Sequence, residues 1–161
     1  MDNNLSFRYA TESDTALILI FIKALADYEK MSSDVTATEE MLREWIFEKQ
    51  KAEVIFAVKD NKEIGFAVFF NNFSTFLGKA GIYLEDLFVF PEYRGYGYGK
   101  MFLKELAKIT IERNCGRLEW QCLNWNKPSI DFYLSLNAQP MSEWKTYRLS
   151  GENLINLATE K

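Results

Sequence analysis

A glycine-rich loop between a strand-like segment and a helix-like segment constrains the fold of this chain most. The sequence "GIYLEDLFVF", residues 81–90, is a mostly apolar run typical of a buried strand. Glycines follow at every second position, and residues 100–113 then carry apolar side chains at helical spacing. The next apolar segment, "RLEWQCL", predicts another strand. A strand, a helix and a second strand in this order predict a right-handed parallel crossover within a sheet.

The other segments predict that this unit belongs to a mixed α/β sheet flanked by helices. Further strands are predicted at "LSFRYA", "AEVIFAVK", "IGFAVFF" and "EWKTYRLS". Further helices are predicted over residues 16–28, after a capping box formed by Thr36 and Glu39, from Pro128 to Asn137, and in the tail. No repeat and no linker-like stretch interrupts the 161 residues, so we expect a single domain spanning residues 1–161.

The composition excludes several kinds of catalytic site. The chain has no histidine, which rules out Ser-His-Asp and Cys-His catalysis and histidine-ligated zinc. An acid or base must then be Glu, Asp, Tyr, Lys, Cys or water. Cys115 and Cys122 are too few for a disulfide framework or a zinc site, so we expect reduced thiols and no metal. The net charge of -4 disfavours nucleic acid and fits a cationic substrate, although ordinary solubility explains it equally well.

No segment has the character of a membrane anchor. No apolar stretch is long enough to cross a bilayer, and residues 1–10 lack the charged and apolar regions of a signal peptide. We therefore expect a cytoplasmic protein without a membrane partner.

The glycine loop has the character of an anion site. Glycine permits positive φ, so successive backbone N–H groups can converge on one anion at the start of a helix. The pattern Gly95-Tyr96-Gly97-Tyr98-Gly99 is one residue short of a dinucleotide fingerprint. It also fails as a P-loop, since Met101 stands where a Ser or Thr would hold magnesium. A pyrophosphate cradle is predicted, and a flexible turn before a helix is the alternative.

The segment from Arg94 to Gly99 resembles the R/Q-x-x-G-x-G/A signature of GNAT-family N-acetyltransferases. Other stretches look like polyamine (spermidine/spermine, diamine) and thialysine acetyltransferases: "LADYEKMSSDV", "YLEDLFVFPEYRGYGYG", "WNKPSIDFY" and "NLINLATEK". The resemblance implies a GNAT fold, in which a mostly antiparallel central sheet has a parallel β4/β5 pair splayed around the cofactor. It also implies acetyl-CoA as co-substrate, a small-molecule amine as acceptor, and a homodimer.

The same resemblance assigns the cofactor-binding residues. The loop residues would bind the pyrophosphate of acetyl-CoA, and a strand segment would pair its backbone with the pantetheine amides. An asparagine before a short helix would bind the cofactor arm, although a helix cap is its alternative role. These residues are Leu87, Phe88, Val89, Arg94, Gly95, Tyr96, Gly97, Tyr98, Gly99, Lys100 and Asn126, with Tyr133.

Acetyl transfer needs a base for the amine and an acid for the departing thiolate. Glu85 and Asp86 are the only acids in their apolar strand, and in a regular strand they would face opposite sides. The resemblance selects Glu85 as the residue that contacts the amine and leaves Asp86 a structural role; a bulge would weaken the alternation. From the residues alone, a buried structural carboxylate is equally acceptable. The resemblance also implies that Tyr133 is the general acid, whereas its neighbours suggest a core residue.

The resemblance places Tyr28 and Glu29 at the substrate mouth, where a ring face and a carboxylate would hold a distal ammonium. Glu29 is alternatively a solvated residue at a helix end. Where polyamine acetyltransferases have an acid facing the substrate, the ungapped register has Lys145, and Glu143 fits only after a shift. A lysine there would repel a polycation, so thialysine or another amine is also a candidate.

These features together predict an acetyl-CoA-dependent N-acetyltransferase that acts on a primary amine of a small molecule by direct attack in a ternary complex. Two alternatives are a protein or peptide N-acetyltransferase, and a non-catalytic acyl-CoA-binding module. The acceptor cannot be named from the sequence.

Overall fold

The structure, a computed structural model, describes residues 4–160, which form two compact units. The first unit ends at Gln121 and contains a five-stranded sheet in the order β1-β2-β3-β4-β5. Neighbouring strands are antiparallel except β4 and β5, which are parallel, so the predicted mixed sheet is confirmed. The strands are β1 (Leu5–Tyr9), β2 (Glu53–Lys59), β3 (Lys62–Ser74), β4 (Lys79–Val89) and β5 (Leu118–Trp120).

Five α-helices accompany the sheet in the described part of the chain. In the first unit they are α1 (Thr15–Tyr28), α2 (Glu39–Leu42), which continues as a π-helical turn over Arg43–Glu48, and α3 (Tyr98–Glu112). The second unit, which starts at Cys122, contains α4 (Lys127–Ser135) and α5 (Gly151–Thr159). None of the described helices is both long enough and apolar enough to span a bilayer. That both units belong to one domain stays a prediction.

One side of the core lies between α1 and the central strands. Phe21 of α1 is fully buried and its ring stacks on that of Phe66, with the centroids 5.0 Å apart. Burying such aromatic side chains dominates core energetics, and a ring pair contributes roughly 0.5–1.5 kcal/mol beyond its buried area. The buried residues of this cluster are Ile18, Phe21, Leu25, Ile46, Val54, Phe56, Phe66, Val68 and Phe88.

Helix α3 also buries an apolar face against the sheet. Its Phe102 meets Phe7 of β1 edge to face at 5.0 Å, and Leu103, Leu106 and Ile109 are buried as well. Ile111, one of the apolar residues of the segment predicted to form this helix, is instead 77% exposed. With 3.6 residues per turn, its side chain points away from the row formed by Phe102, Leu106 and Ile109.

Two further predictions about elements are wrong. The segment "EWKTYRLS" is not a strand: residues 144–150 belong to no helix or strand of the described chain. A strand needs a partner for its backbone hydrogen bonds, and strand-forming composition alone does not supply one. The start of α2 also differs, since Thr38 and not Thr36 caps it by accepting a hydrogen bond from the Met41 N–H at 3.2 Å.

Candidate active site

The glycine loop forms an open turn at the start of α3. Gly95 and Gly97 have φ values of 85° and 83°, in the left-handed region, and Gly97 is the N-cap residue. A Cβ atom built on either glycine meets no atom within 4 Å, so this side of the loop is accessible. The first bond of the helical ladder runs from the Met101 N–H to the Gly97 carbonyl at 3.2 Å. The N–H groups before Met101 precede that ladder and are suited to an anion such as a pyrophosphate.

Strand β4 extends beyond its parallel partner. It pairs with β5 only from Ile82 to Leu84, whereas its pairing with β3 continues to Val89. Among the described residues, the other edge of 85–89 therefore has no strand partner. Leu87, Phe88 and Val89, the residues predicted to pair with pantetheine, lie in this part of the strand. The local geometry fits the splayed pair that the family resemblance implies.

Arg94 links the loop to two neighbouring elements. Its Nε donates a hydrogen bond to the Val89 carbonyl at 3.0 Å. Its guanidinium carbon lies 4.4 Å from the ring centroid of Tyr28 and 5.2 Å from that of Phe88. The end of α1, the end of β4 and the start of the glycine loop thus meet at one side chain. Sequence reasoning missed this link, because no local pattern reports a contact between Tyr28 and Arg94.

The two acids of β4 lie at a β-bulge. Asp86 is opposite Val68 and Leu84 is opposite Phe69, which leaves Glu85 as the extra residue. A bulge re-aims side chains locally, so the alternation of Glu85 and Asp86 that holds for a regular strand does not apply here. Glu85 is exposed and Asp86 is half-buried.

Burial and nearby charge change the titration of these acids. Burial, together with the smaller effects of the negative charges of Glu85 and Glu29, raises the pKa of Asp86 from its ordinary value of 3.8 to about 6. Burial also raises the pKa of Glu29. The end of α1 thus brings Glu29 close enough to β4 for its charge to act on Asp86. The family resemblance gave Asp86 only a structural role, and the burial that raises its pKa depends on distant segments that no local pattern reports.

The second unit contains the remaining predicted site residues. Asn126 is 8% exposed and caps α4, since its Oδ1 accepts a hydrogen bond from the Ser129 N–H at 3.3 Å. Tyr133 is half-buried on α4, with its ring centroid 5.4 Å from that of Phe132. Asn137 ends this segment with φ 61°, as predicted. The roles of Asn126 in cofactor binding and of Tyr133 in proton transfer stay predictions.

Glu143 and Lys145 follow α4 in the chain. Both are exposed and lie outside any helix or strand, because the strand predicted to carry them is not formed. That Lys145, or Glu143 after a shift, lies at the acceptor stays a prediction.

Known proteins resemble this chain over nearly its whole length. Residues 20–137 match the acetyltransferase (GNAT) family. Thialysine N-ε-acetyltransferase of Bos taurus is 36% identical over 163 residues, covering 94% of this chain and 95% of that protein. Spermidine/spermine N(1)-acetyltransferase-like protein 1 of Homo sapiens is 31% identical over 166 residues, covering 96% of this chain and 24% of that protein.

The solved structures agree. An integron cassette protein from the mobile metagenome of V. cholerae superimposes with a TM-score of 0.81 at 31% identity, covering 98% of this chain and 99% of that one. With the glycine loop at the start of α3, the parallel β4/β5 pair and the family match, the chain belongs to the GNAT family and is an acetyl-transferring enzyme.

Proposed function

We propose that this enzyme transfers the acetyl group of acetyl-CoA to a primary amine of a small molecule by direct attack in a ternary complex. One observation carries the proposal: Glu29, Glu85 and Asp86 lie near one another where the strand bulges just before the glycine loop. These three carboxylates would attract an ammonium group, and one of them would supply a base beside the cofactor loop.

The acceptor amine must lose a proton before it attacks. An alkylammonium group has a pKa of about 10.4, roughly three units above pH 7.4. Asp86, whose pKa is raised to about 6, is ionised for most of the time at neutral pH and is still a better proton acceptor than an ordinary carboxylate. Asp86 or Glu85 takes the proton directly or through a water molecule.

The remaining steps use the other predicted residues. Acetyl-CoA supplies an acetyl group activated as a thioester. The N–H groups at the start of α3 hold its pyrophosphate, the free edge of β4 near Leu87 and Val89 pairs with its pantetheine amides, and Asn126 binds the cofactor arm. As the carbon–nitrogen bond forms and the carbon–sulfur bond breaks, Tyr133 donates its hydroxyl proton to the departing thiolate.

A small acceptor with a second ammonium group suits the site best. The similar proteins are named for thialysine and for spermidine and spermine. Thialysine and both polyamines carry more than one amino group, which three carboxylates at the end of α1 and on β4 would accommodate. The Tyr28 ring would contact the distal ammonium through its face. By the same resemblance, we propose that the enzyme acts as a homodimer.

The test is release of CoA thiol from acetyl-CoA with spermidine, putrescine, thialysine, lysine and N-terminal peptides. We expect one of the small amines to give the highest kcat/KM. A peptide as best acceptor would favour protein acetylation instead. Bound CoA with no turnover for any amine would favour a non-catalytic binding module.

A matched variant separates chemistry from binding in the same assay. Tyr133→Phe removes only the hydroxyl group, so we expect kcat to fall by about 100-fold, the usual contribution of a general acid, with a much smaller change in CoA affinity. Unchanged turnover would remove Tyr133 from the mechanism.

A further inference from the structure

The β2–β3 turn brings a lysine to the glycine loop. Lys59 is the last residue of β2, and Asp60 and Asn61 form a two-residue turn with φ values of 50° and 60°. Positive φ at both central residues is typical of a type I′ hairpin turn, which suits the twist of the strands. Lys59 is also paired with Leu5 of β1 and Lys62 of β3, so its backbone is held on both sides.

Lys59 makes a charge-assisted hydrogen bond to the start of α3. Its Nζ donates to the Tyr98 hydroxyl oxygen at 2.7 Å. Tyr98 is 2% exposed and is the first residue of α3, directly after the left-handed Gly97. Hydrogen bonds from a charged donor are shorter and stronger than neutral ones. The bond therefore ties β2 to the residue at which the cofactor loop becomes a helix.

The same ammonium group lies near both tyrosine rings of the loop. Its distance to the ring centroid is 5.9 Å for Tyr96 and 5.4 Å for Tyr98, within the range of cation–π interaction. The two rings stack with centroids 5.9 Å apart and an interplanar angle of 28°. Tyr96 and Tyr98 are the two residues between the three loop glycines, so Lys59 interacts with both side chains of this segment.

A loop so rich in glycine needs an external restraint to bind its ligand well. Glycine loses more conformational freedom on ordering than any other residue, and ordering a loop on binding reduces affinity. A contact that fixes Tyr96 and Tyr98 before the ligand binds reduces the entropy lost on binding. We infer that Lys59 is a positioning residue of the CoA site, which holds the glycine loop in its binding conformation through Tyr98. This inference rests on the proposed use of acetyl-CoA.

The test combines four single variants and one double variant with calorimetric titration of CoA and steady-state kinetics. Lys59→Met keeps the aliphatic stem but removes the donor, and Lys59→Arg retains a donor. Tyr98→Phe removes the acceptor. Lys62→Met is the matched control, because it removes the same charge from the same turn but faces the ring of Tyr93, outside the glycine pattern, at 5.6 Å.

We expect Lys59→Met to weaken CoA binding by about tenfold, a loss comparable to one charged hydrogen bond. KM for acetyl-CoA should rise by a similar factor, while KM for the amine and kcat at saturation change by less than about twofold. Lys59→Arg should recover most of the affinity. The double variant of Lys59→Met and Tyr98→Phe should bind no more weakly than the worse single variant, because both remove the same bond.

Several results would overturn the inference. Additive losses in the double variant would indicate that Lys59 contacts the phosphates directly, and equal losses for Lys62→Met would indicate a general charge effect. Wild-type affinity in Lys59→Met would also refute it. If Lys59→Met does not fold, an unchanged CoA affinity in Tyr98→Phe would refute the inference instead. A wild-type protein that binds no CoA would instead refute the proposed function.

Discussion

Asp86 combines a partly buried position with a carboxyl group that the proposed mechanism requires in its ionised form. Its pKa in the folded chain is raised from 3.8 to about 6, so the folded state binds the proton more tightly than the unfolded state. The stability that the neutral carboxyl group contributes is therefore present at low pH and is lost as the pH rises from about 4 to about 6. At neutral pH the ionised group destabilises the fold.

Asp86→Asn should relieve this penalty. Two pKa units correspond to roughly 3 kcal/mol, and the partial exposure of the side chain lowers the expected gain to about 2 kcal/mol at pH 8. At pH 3.5 the variant and the wild type should be nearly equal. Urea unfolding at the two pH values measures the difference, and a stability change independent of pH would contradict the assigned titration.

The same substitution should change the pH dependence of activity. If Asp86 accepts the proton, kcat/KM of the wild type rises with pH through an acidic limb near pH 6, because the base must be ionised. The Asp86→Asn variant should lack this acidic limb, and its kcat/KM should be lower by about 100-fold or more. Glu85→Gln is the comparison variant: if it abolishes the limb and Asp86→Asn keeps it, Glu85 is the base, as the family resemblance implies.

Among the elements, the junction of β4, the glycine loop and α3 is where we propose that the cofactor binds. Gly97→Ala introduces no clash, since a Cβ there meets no atom within 4 Å, but φ 83° is unfavourable for any residue with a side chain. We expect a loss of about 1–2 kcal/mol in unfolding free energy, the usual cost of a left-handed residue, and a clear rise in KM for acetyl-CoA.

Gly78→Ala is the matched control for the Gly97→Ala substitution. Gly78 lies in the turn between β3 and β4, with φ 63° and nothing within 4 Å of its Cβ position. The same backbone strain should therefore lower stability by a similar amount and leave KM for acetyl-CoA unchanged. Equal effects of both variants on KM would show that the glycine loop has no special role in binding the cofactor.

At the scale of the whole molecule, exposed apolar side chains support the proposed dimer. The end of β3 exposes 62% of Phe73, and the turn that follows it exposes 98% of Phe76 and 54% of Leu77. Contiguous exposed apolar groups often mark a protein–protein interface. We expect sedimentation equilibrium at micromolar concentration to give twice the 18.8 kDa of one chain, and Phe76→Ser to shift the mass toward one chain. A monomeric wild type would refute this proposal.

Much of the fold follows from local patterns in the sequence. Apolar periodicity located α1, β2, β3, β4 and α3 to within a few residues, because amphipathic spacing reports which face a segment buries. Asn137 ends the α4 segment as predicted, because a left-handed stop is a local backbone preference. Where the local pattern was the only argument, as for "EWKTYRLS", the prediction failed, since a strand exists only through its partner.

Residue type and spacing alone show a glycine loop before a helix-like segment, acids inside an apolar strand and no histidine for catalysis. The bulge at Glu85, the burial that raises the pKa of Asp86 to about 6 and the hydrogen bond from Lys59 to Tyr98 follow instead from tertiary contacts. Lys59 and Tyr98 are 39 residues apart in the chain. Register, burial and such contacts depend on which distant segments meet, and no local period reports that.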